Sequence, residues 1–334
     1  RRQPSAIVSL IQIYGFAGGG IKLRSAFEIY FVVRRNRPNF TSISRLMTLY
    51  ERVFGKPKAI NPAHYFDPAL VERVSKTALP WFEKYFRAEY EGLENLPTRP
   101  FLSVGIHSGG LMLWDSLLWG GKYHSTGRKP PLISLAHNLL ASLNNIEGFR
   151  LFRRLGIHAA DPRLAKTALS EGFAVHVYPG GDRDVFRNFT QRHKVTFWGR
   201  KGYARLAIEA GVPLVPVATV GGHETFVVLW DGQAIAKRLG LPELMQWHVF
   251  PITWGLGAGL RFGIPSFYIP LPAQISFGVA EPLYLDGLSP DDAKKPHIVA
   301  EVDRAFRDRM QKEVNRLTRF RIPVVGRIYK PKDE

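Results

Sequence analysis

The chain predicts an α/β fold in which a mixed, largely parallel sheet is flanked by helices. Three observations carry that expectation. Short apolar runs at 101–106, 131–135, 173–178, 213–220 and 274–280 have the length of strands and little internal alternation, as strands buried on both faces do. Helical patterns at 115–119, 139–155, 162–170 and 201–210 fall among them, and alternation of the two kinds marks parallel crossover units. The 334 residues, 45% hydrophobic and 22% charged, suffice to bury such a sheet.

In chain order, residues 5–16 and 21–35 read as two short apolar helices hinged at Gly18, Gly19 and Gly20 and closed by Arg34, Arg35 and Arg37. Basic residues beside an apolar helical face suit two arrangements equally: a segment lying on an anionic bilayer, or a hairpin docked on the core. Lys22, Arg24 and Glu28 interrupt the run too often for a membrane span. Further helices are expected at 45–54 and 68–89, the second carrying Leu70, Val74, Leu79, Phe82, Tyr85 and Phe86 near helical spacing and divided at Pro80. Residues 1–90 are therefore expected to form an N-terminal helical, membrane-associating region, and 91–334 the α/β domain. The stretch 244–277 differs from its surroundings. Trp247, Phe250, Trp254, Phe262, Phe267 and Tyr268 are mixed with glycines and prolines and with almost no charge beyond Arg261, which predicts a loop-rich apolar flap. Residues 296–320 close the chain as an amphipathic packing helix with Ile298, Val302, Phe306, Met310, Val314 and Leu317 in one stripe.

Charge narrows the partners. Lys and Arg number 46 against 28 Asp and Glu, giving +18, which favours polyanions: nucleic acid, anionic lipid headgroups or a phosphorylated co-substrate. Nucleic acid is the poorest fit, because no recognition motif is present and the aromatics gather in the flap instead of alternating with Lys and Arg. The absence of cysteine excludes a disulfide framework, a thiolate zinc site and a Cys-bound acyl intermediate. There is no Gly-x-Ser-x-Gly elbow and no phosphate loop, and His223-Glu224 is followed by Thr225-Phe226-Val227 instead of the zinc-protease spacing. The histidines have no ligand-like spacing, so no metal is expected.

Two stretches carry chemistry. His107 ends an apolar run and opens the turn Ser108-Gly109-Gly110, with Asp115 following. A histidine there can act as general base, a carboxylate on its other ring nitrogen can orient it, and the amides of Ser108, Gly109 and Gly110 can face a developing oxyanion. The C-terminal end of a buried strand is where α/β folds place their sites. The second stretch, Tyr178-Pro179-Gly180-Gly181-Asp182-Arg183-Asp184, offers glycine backbone that a substrate can approach and an arginine able to grip a phosphate or ester oxygen.

Together these stretches resemble the catalytic and acceptor-binding motifs of the glycerolipid (lysophosphatidic-acid acyltransferase-like) acyltransferases, nearest the diacylglycerol acyltransferase-related branch with Pro-Gly-Gly in place of Pro-Glu-Gly. Residues 145–161 and 211–217 extend the resemblance, which covers roughly 90–285. It implies transfer of a fatty acyl group from a thioester, acyl-CoA or acyl carrier protein, to the hydroxyl of a lipid alcohol. The thioester is a co-substrate, and no cofactor is implied. His107 would be the base, Asp115 its orienting partner, and Pro179, Gly180, Gly181 and Arg183 the acceptor site. The net charge and the basic, apolar N-terminal segment add the expectation of an anionic membrane surface as partner, with peripheral or monotopic association on the cytoplasmic face.

This chain departs from the family pattern in three places. Seven residues separate His107 from Asp115 where much of the family has four, Ile106 stands where asparagine is frequent, and Gly180 stands where glutamate is usual. Loss of that glutamate, with Asp182 and Asp184 expected to neutralise Arg183, points to a neutral acceptor. Candidates for the donor phosphates are Arg150, Arg153, Arg154, Arg163, Lys166, Arg187, Arg192, Lys194, Arg200 and Lys201. A non-catalytic lipid-binding or lipid-transfer protein on the same fold is the alternative.

Overall fold

The computed structural model describes residues 61–110, 114–136, 150–242, 247–257, 259–263 and 268–329. The helices expected at 5–16, 21–35 and 45–54, and the first part of the one at 139–155, lie outside the described residues. Two helices come first, α1 (Pro68–Thr77) and α2 (Leu79–Tyr85). The Asp67 carboxylate accepts from the Leu70 amide at 3.0 Å and caps α1. Pro80 lies in the first turn of α2, where its missing N–H costs nothing, so the helical pattern divides there.

The sheet then forms from β1 (Glu89–Glu91), β2 (Leu102–Gly105), β3 (Leu132–Ala136), β4 (Ile157–Ala159), β5 (Ala174–Val177), β6 (Leu214–Val220) and, after an excursion, β10 (Ser276–Val279). Its order is β1-β10-β6-β2-β5-β3-β4. Strands β6, β2, β5, β3 and β4 run parallel, β10 is antiparallel to β6, and β1 is parallel to β10. The fold is α/β, with a mixed and largely parallel sheet between helical layers. Alternate residues of β2 and β6 feed the two faces. Leu102, Val104, Leu214 and Ala218 meet helices α4 (Pro162–Ser170), α5 (Gly202–Ala210) and α6 (Pro296–Thr318). Val215, Val217, Phe277 and Val279 meet α2 and α3 (Trp114–Ser125) through Leu79, Leu118 and Trp119. Burial on both faces is why these strands read as unbroken apolar runs.

Two strands carried no such signal. Strand β1 is Glu-Tyr-Glu, an edge strand whose Glu91 pairs with Arg316 at 2.7 Å, and β4 has three residues. The excursion between β6 and β10 is a larger difference from expectation. It builds a second, antiparallel sheet from β7 (Val227–Trp230), β8 (Ile252–Gly255) and β9 (Gly259–Phe262), so the apolar stretch is a strand hairpin and not merely a loop-rich flap. Ladder bonds between β8 and β9 satisfy backbone that turn residues alone would have left to solvent.

The segment Gly222–Thr225, just after β6, is tied down by a buried ion pair. Arg321 grips Glu224 at 3.1 and 3.0 Å, and both side chains are essentially inaccessible. Arg321→Ala would leave that buried carboxylate with the Val324 amide at 2.8 Å and Arg192 at 3.9 Å but without its bidentate partner, so it is expected to lower the unfolding free energy in urea by about 3 kcal/mol. Lys294→Ala, which removes an exposed pair with Asp291, is expected to leave the urea midpoint unchanged.

Candidate active site

Three adjacent parallel strands, β6, β2 and β5, end at the same edge of the sheet, and the loops leaving them meet there. The loop after β2 carries His107. Its Nδ1 lies 2.9 Å from Oδ2 of Asp115, in the first turn of α3. The reach across seven intervening residues comes from two consecutive left-handed glycines, Gly109 at φ +82° and Gly110 at φ +68°, which double the chain back. A Cβ at Gly110 would lie 2.9 Å from both Phe226 and the Tyr268 hydroxyl, so the turn has no room for a side chain.

The Asp115 carboxylate is completely buried. Oδ2 also accepts from the Ser108 amide at 2.7 Å, and Oδ1 accepts from the Ser116 amide at 2.7 Å. Since the carboxylate is surrounded by donors, the bond to His107 is made by Nδ1–H, and Nε2 keeps its lone pair. The Ser108 amide is thereby committed to Asp115. This corrects the expectation that the Ser108 amide faces an oxyanion.

The imidazole of His107 stacks on Tyr178, which follows β5, with centroids 4.2 Å apart and 23° between planes. Burial, reinforced by the Asp115 charge, pushes the Tyr178 phenol well above its usual range, so the ring is a neutral wall. Gly105 lets that wall approach, since a Cβ there would sit 2.7 Å from the Tyr178 ring. Behind it, His176 meets Tyr178 edge-on and bonds Ser103 Oγ through Nδ1 at 2.8 Å. Burial, then the nearby His107, holds His176 down at about 3. From the loop after β6, Gly222 packs so closely on Ser108 that a Cβ would overlap its hydroxyl. The next residue, His223, is kept neutral chiefly by burial, with Arg187 and His107 adding to the effect.

The Pro179-Gly180-Gly181 turn stands beside this group. Arg200 donates to the Pro179 and Gly180 carbonyls at 3.1 and 3.0 Å, fixing the turn from behind. A Cβ at Gly180 would fall inside the Asp184 carboxyl group, so that aspartate occupies the space a side chain at 180 would need. Asp184 is itself bonded by Arg187 and by Trp198 Nε1 at 3.1 Å. Asp182 is engaged by the backbone and ring of His248 and lies 3.6 Å from Arg200. Neither aspartate turns to Arg183, which corrects the expected neutralisation. The guanidinium of Arg183 instead lies 5.6 Å from the Trp198 ring centroid and lines a 380 Å³ cavity with Lys237, Gln233 and His248.

Residues 87–220 match the family model for Acyltransferase, a span that contains both motif stretches, including His107, Asp115, His176, Tyr178 and Arg183, while Gly222, His223, Phe226, His248 and Tyr268 lie beyond it. Over that span the chain is similar to the Acyltransferase family. An uncharacterized protein of Mycobacterium leprae is 26% identical over 254 residues, 75% of this chain and 66% of that protein. A chicken (Gallus gallus) protein named DGAT1/2-independent enzyme synthesizing storage lipids is 26% identical over 177 residues, 50% of this chain and 49% of its own. The chain thus spans about two thirds of the first relative's length and half of the second's. Among solved structures, the lysophosphatidic acid acyltransferase PlsC from Thermotoga maritima aligns over 91% of this chain and 97% of its own, at 17% identity and a TM-score of 0.39.

Several basic residues considered for the donor phosphates are spent on protein partners. Arg154 pairs with Asp67 at 2.7 Å, Arg163 with Asp161 at 3.1 Å, and Arg187 with Asp184. Sequence reasoning missed Tyr178, His176 and His223 as neighbours of His107. The one signal available for Tyr178 was its position at the end of β5, level with His107 at the end of β2. Nothing local marked His223, because its place depends on β6 lying next to β2.

The buried histidines set a pH dependence of folding. Burial depresses His176 to about 3 and His158 to about 4, below the 6.5 of an exposed imidazole. The unfolded chain therefore binds more protons than the folded one between those values and 6.5, so stability is complete above that window and is lost as pH falls through it. The unfolding free energy is expected to fall on acidification from pH 7 to pH 4, by up to about 1.4 kcal/mol per pH unit for each such histidine. His176→Asn, which removes one titrating group, is expected to flatten the profile in a urea titration series.

Proposed function

We propose that the protein moves a fatty acyl group from an acyl thioester, acyl-CoA or acyl carrier protein, to the hydroxyl of a lipid acceptor at a membrane surface. The observation that carries this reading is the His107–Asp115 pair, with Nδ1 committed to the carboxylate and Nε2 left as a base. His107 Nε2 takes the proton of the acceptor hydroxyl as its oxygen attacks the thioester carbonyl carbon. The carbonyl electrons move onto oxygen, where the Gly109 and Gly110 amides are the candidate donors. Collapse breaks the C–S bond, and the leaving thiolate recovers the proton from His107. No covalent enzyme intermediate is needed, and neutral Tyr178 and His176 keep competing charge from the base.

The cavity beside the Pro-Gly-Gly turn supports a site for a phosphate group, because Arg183 and Lys237 bring positive charge and Gln233 and His248 bring polar atoms. A coenzyme A donor and a phosphorylated acceptor both carry such a group. The absent side chain at Gly180 favours a neutral acceptor, as does the storage-lipid synthesis for which the chicken relative is named. With neutral acceptors, Arg183 and Lys237 serve the donor.

Thiol release from a long-chain acyl-CoA, and from acyl carrier protein loaded with the same chain, tests the proposal against diacylglycerol and lysophosphatidic acid. Acceptor-dependent release with formation of the acylated lipid is the expected result. Lipid binding without release from either donor would instead identify a carrier. Asp115→Asn, which keeps the shape and reverses the ring tautomer, is expected to lower kcat by about 10³–10⁴ with KM little changed, as read from initial rates.

A further inference from the structure

The second sheet has two unlike faces. Its inner face covers the catalytic loop: Phe226 and Tyr268 lie against Gly110, a Cβ at Gly255 would be in contact with the Phe226 ring and the Tyr268 Cβ, and Tyr268 donates its hydroxyl to the Gly109 carbonyl. Val228 and Thr253 pair on this side and are buried. Among the described residues the outer face is apolar and exposed. In the ladder Trp230 opposes Ile252, Ile252 opposes Phe262, and Trp254 opposes Leu260, so these five side chains share one side. Phe262 is 68% exposed, Leu260 54% and Trp254 42%. Leu256 and Ile269, joined by an isolated bridge, continue the exposed surface beyond the end of β8.

We infer that this outer face of β7–β8–β9 docks on an anionic lipid bilayer. Two features select that occupant. Tryptophan on a surface of otherwise aliphatic and phenyl side chains suits the boundary between acyl chains and headgroups, where an indole can bury its ring and keep its N–H hydrated. The helix that follows β7, Gln233–Arg238, carries exposed Lys237 and Arg238 beside exposed Ile235 and Leu239. Cations flanking apolar side chains complement anionic headgroups. A second copy of the chain, itself of net charge +18, would meet those cations with net charge of the same sign. Docking there would set the catalytic loop directly behind a layer whose other side is in the membrane. The inference deepens the membrane-surface reading above and rests on it for its biological sense, but not for its test.

The test is sedimentation of the full chain with vesicles of phosphatidylcholine, with and without phosphatidylglycerol. Leu260→Glu with Phe262→Glu is expected to weaken partitioning about a hundredfold. Lys237→Glu with Arg238→Glu is expected to weaken it on vesicles containing phosphatidylglycerol and leave it unchanged on phosphatidylcholine alone. Tyr284→Glu, an exposed control near the start of β6 at the opposite end of the sheet, should bind as wild type. Unchanged urea midpoints confirm that the variants are folded; should the β9 pair not fold, the Lys237 and Arg238 pair carries the test. Wild-type partitioning by both pairs overturns the inference. So does a wild-type dimer that Leu260→Glu with Phe262→Glu turns to monomer without loss of vesicle binding. Acyl transfer to acceptor dispersed in detergent should survive in the β9 pair. Its absence in wild type, with vesicle binding as expected, would sink the functional reading and leave the docking face standing.

Discussion

The Asp115 carboxylate is the point from which the site is built. A carboxylate with no access to water costs several kcal/mol unless its lone pairs are satisfied, and here they are met by two backbone amides and a ring nitrogen. Charge-assisted bonds of that kind are worth about 1.5–3 kcal/mol each, enough to fix a loop in a doubled-back path that only glycine can follow. One carboxylate therefore sets the tautomer of His107, the course of Ser108-Gly109-Gly110 and the start of α3. The site and the local fold stand or fall together.

Around that anchor the protein arranges groups that are polar in type and neutral in state. Tyr178, His176 and His223 crowd His107, and burial keeps each of them uncharged. The charged residues of the second motif, Asp182, Asp184, Arg187 and Arg200, are paired with one another, with His248 or with backbone. Arg183 is the exception in this motif, facing a cavity with Lys237. A base among neutral walls, beside a cavity lined with cations, is an arrangement suited to an uncharged hydroxyl and a thioester carried on a phosphorylated donor.

Much of this was legible in the sequence. The five strand runs at 101–106, 131–135, 173–178, 213–220 and 274–280 each correspond to a strand of the main sheet, their apolar character following from burial on both faces and their shortness setting them apart from helices. The turn after His107 was legible through its glycines, and the division of the helical pattern at Pro80 through its missing donor. What escaped has a common physical cause. Strand β1 is held by pairing to β10 and by Glu91 ion pairs, and β7, β8 and β9 are held by partners across a hairpin, so none advertises itself locally. The aspartates flanking Arg183 are adjacent in sequence but turned elsewhere by His248, Arg187 and Trp198, partners between three and sixty-six residues away. Sequence proximity of opposite charges was a poor guide because a tight turn points consecutive side chains in different directions.

The claim on which the account turns is that His107 is the base for acyl transfer and not a histidine kept for packing. The direct measurement is acceptor-dependent thiol release by His107→Ala and His107→Gln, set beside vesicle binding and urea stability of the same proteins. The account predicts that turnover falls by at least about 10³-fold in both variants while binding and folding hold. Turnover within a few-fold of wild type in either folded variant would contradict it.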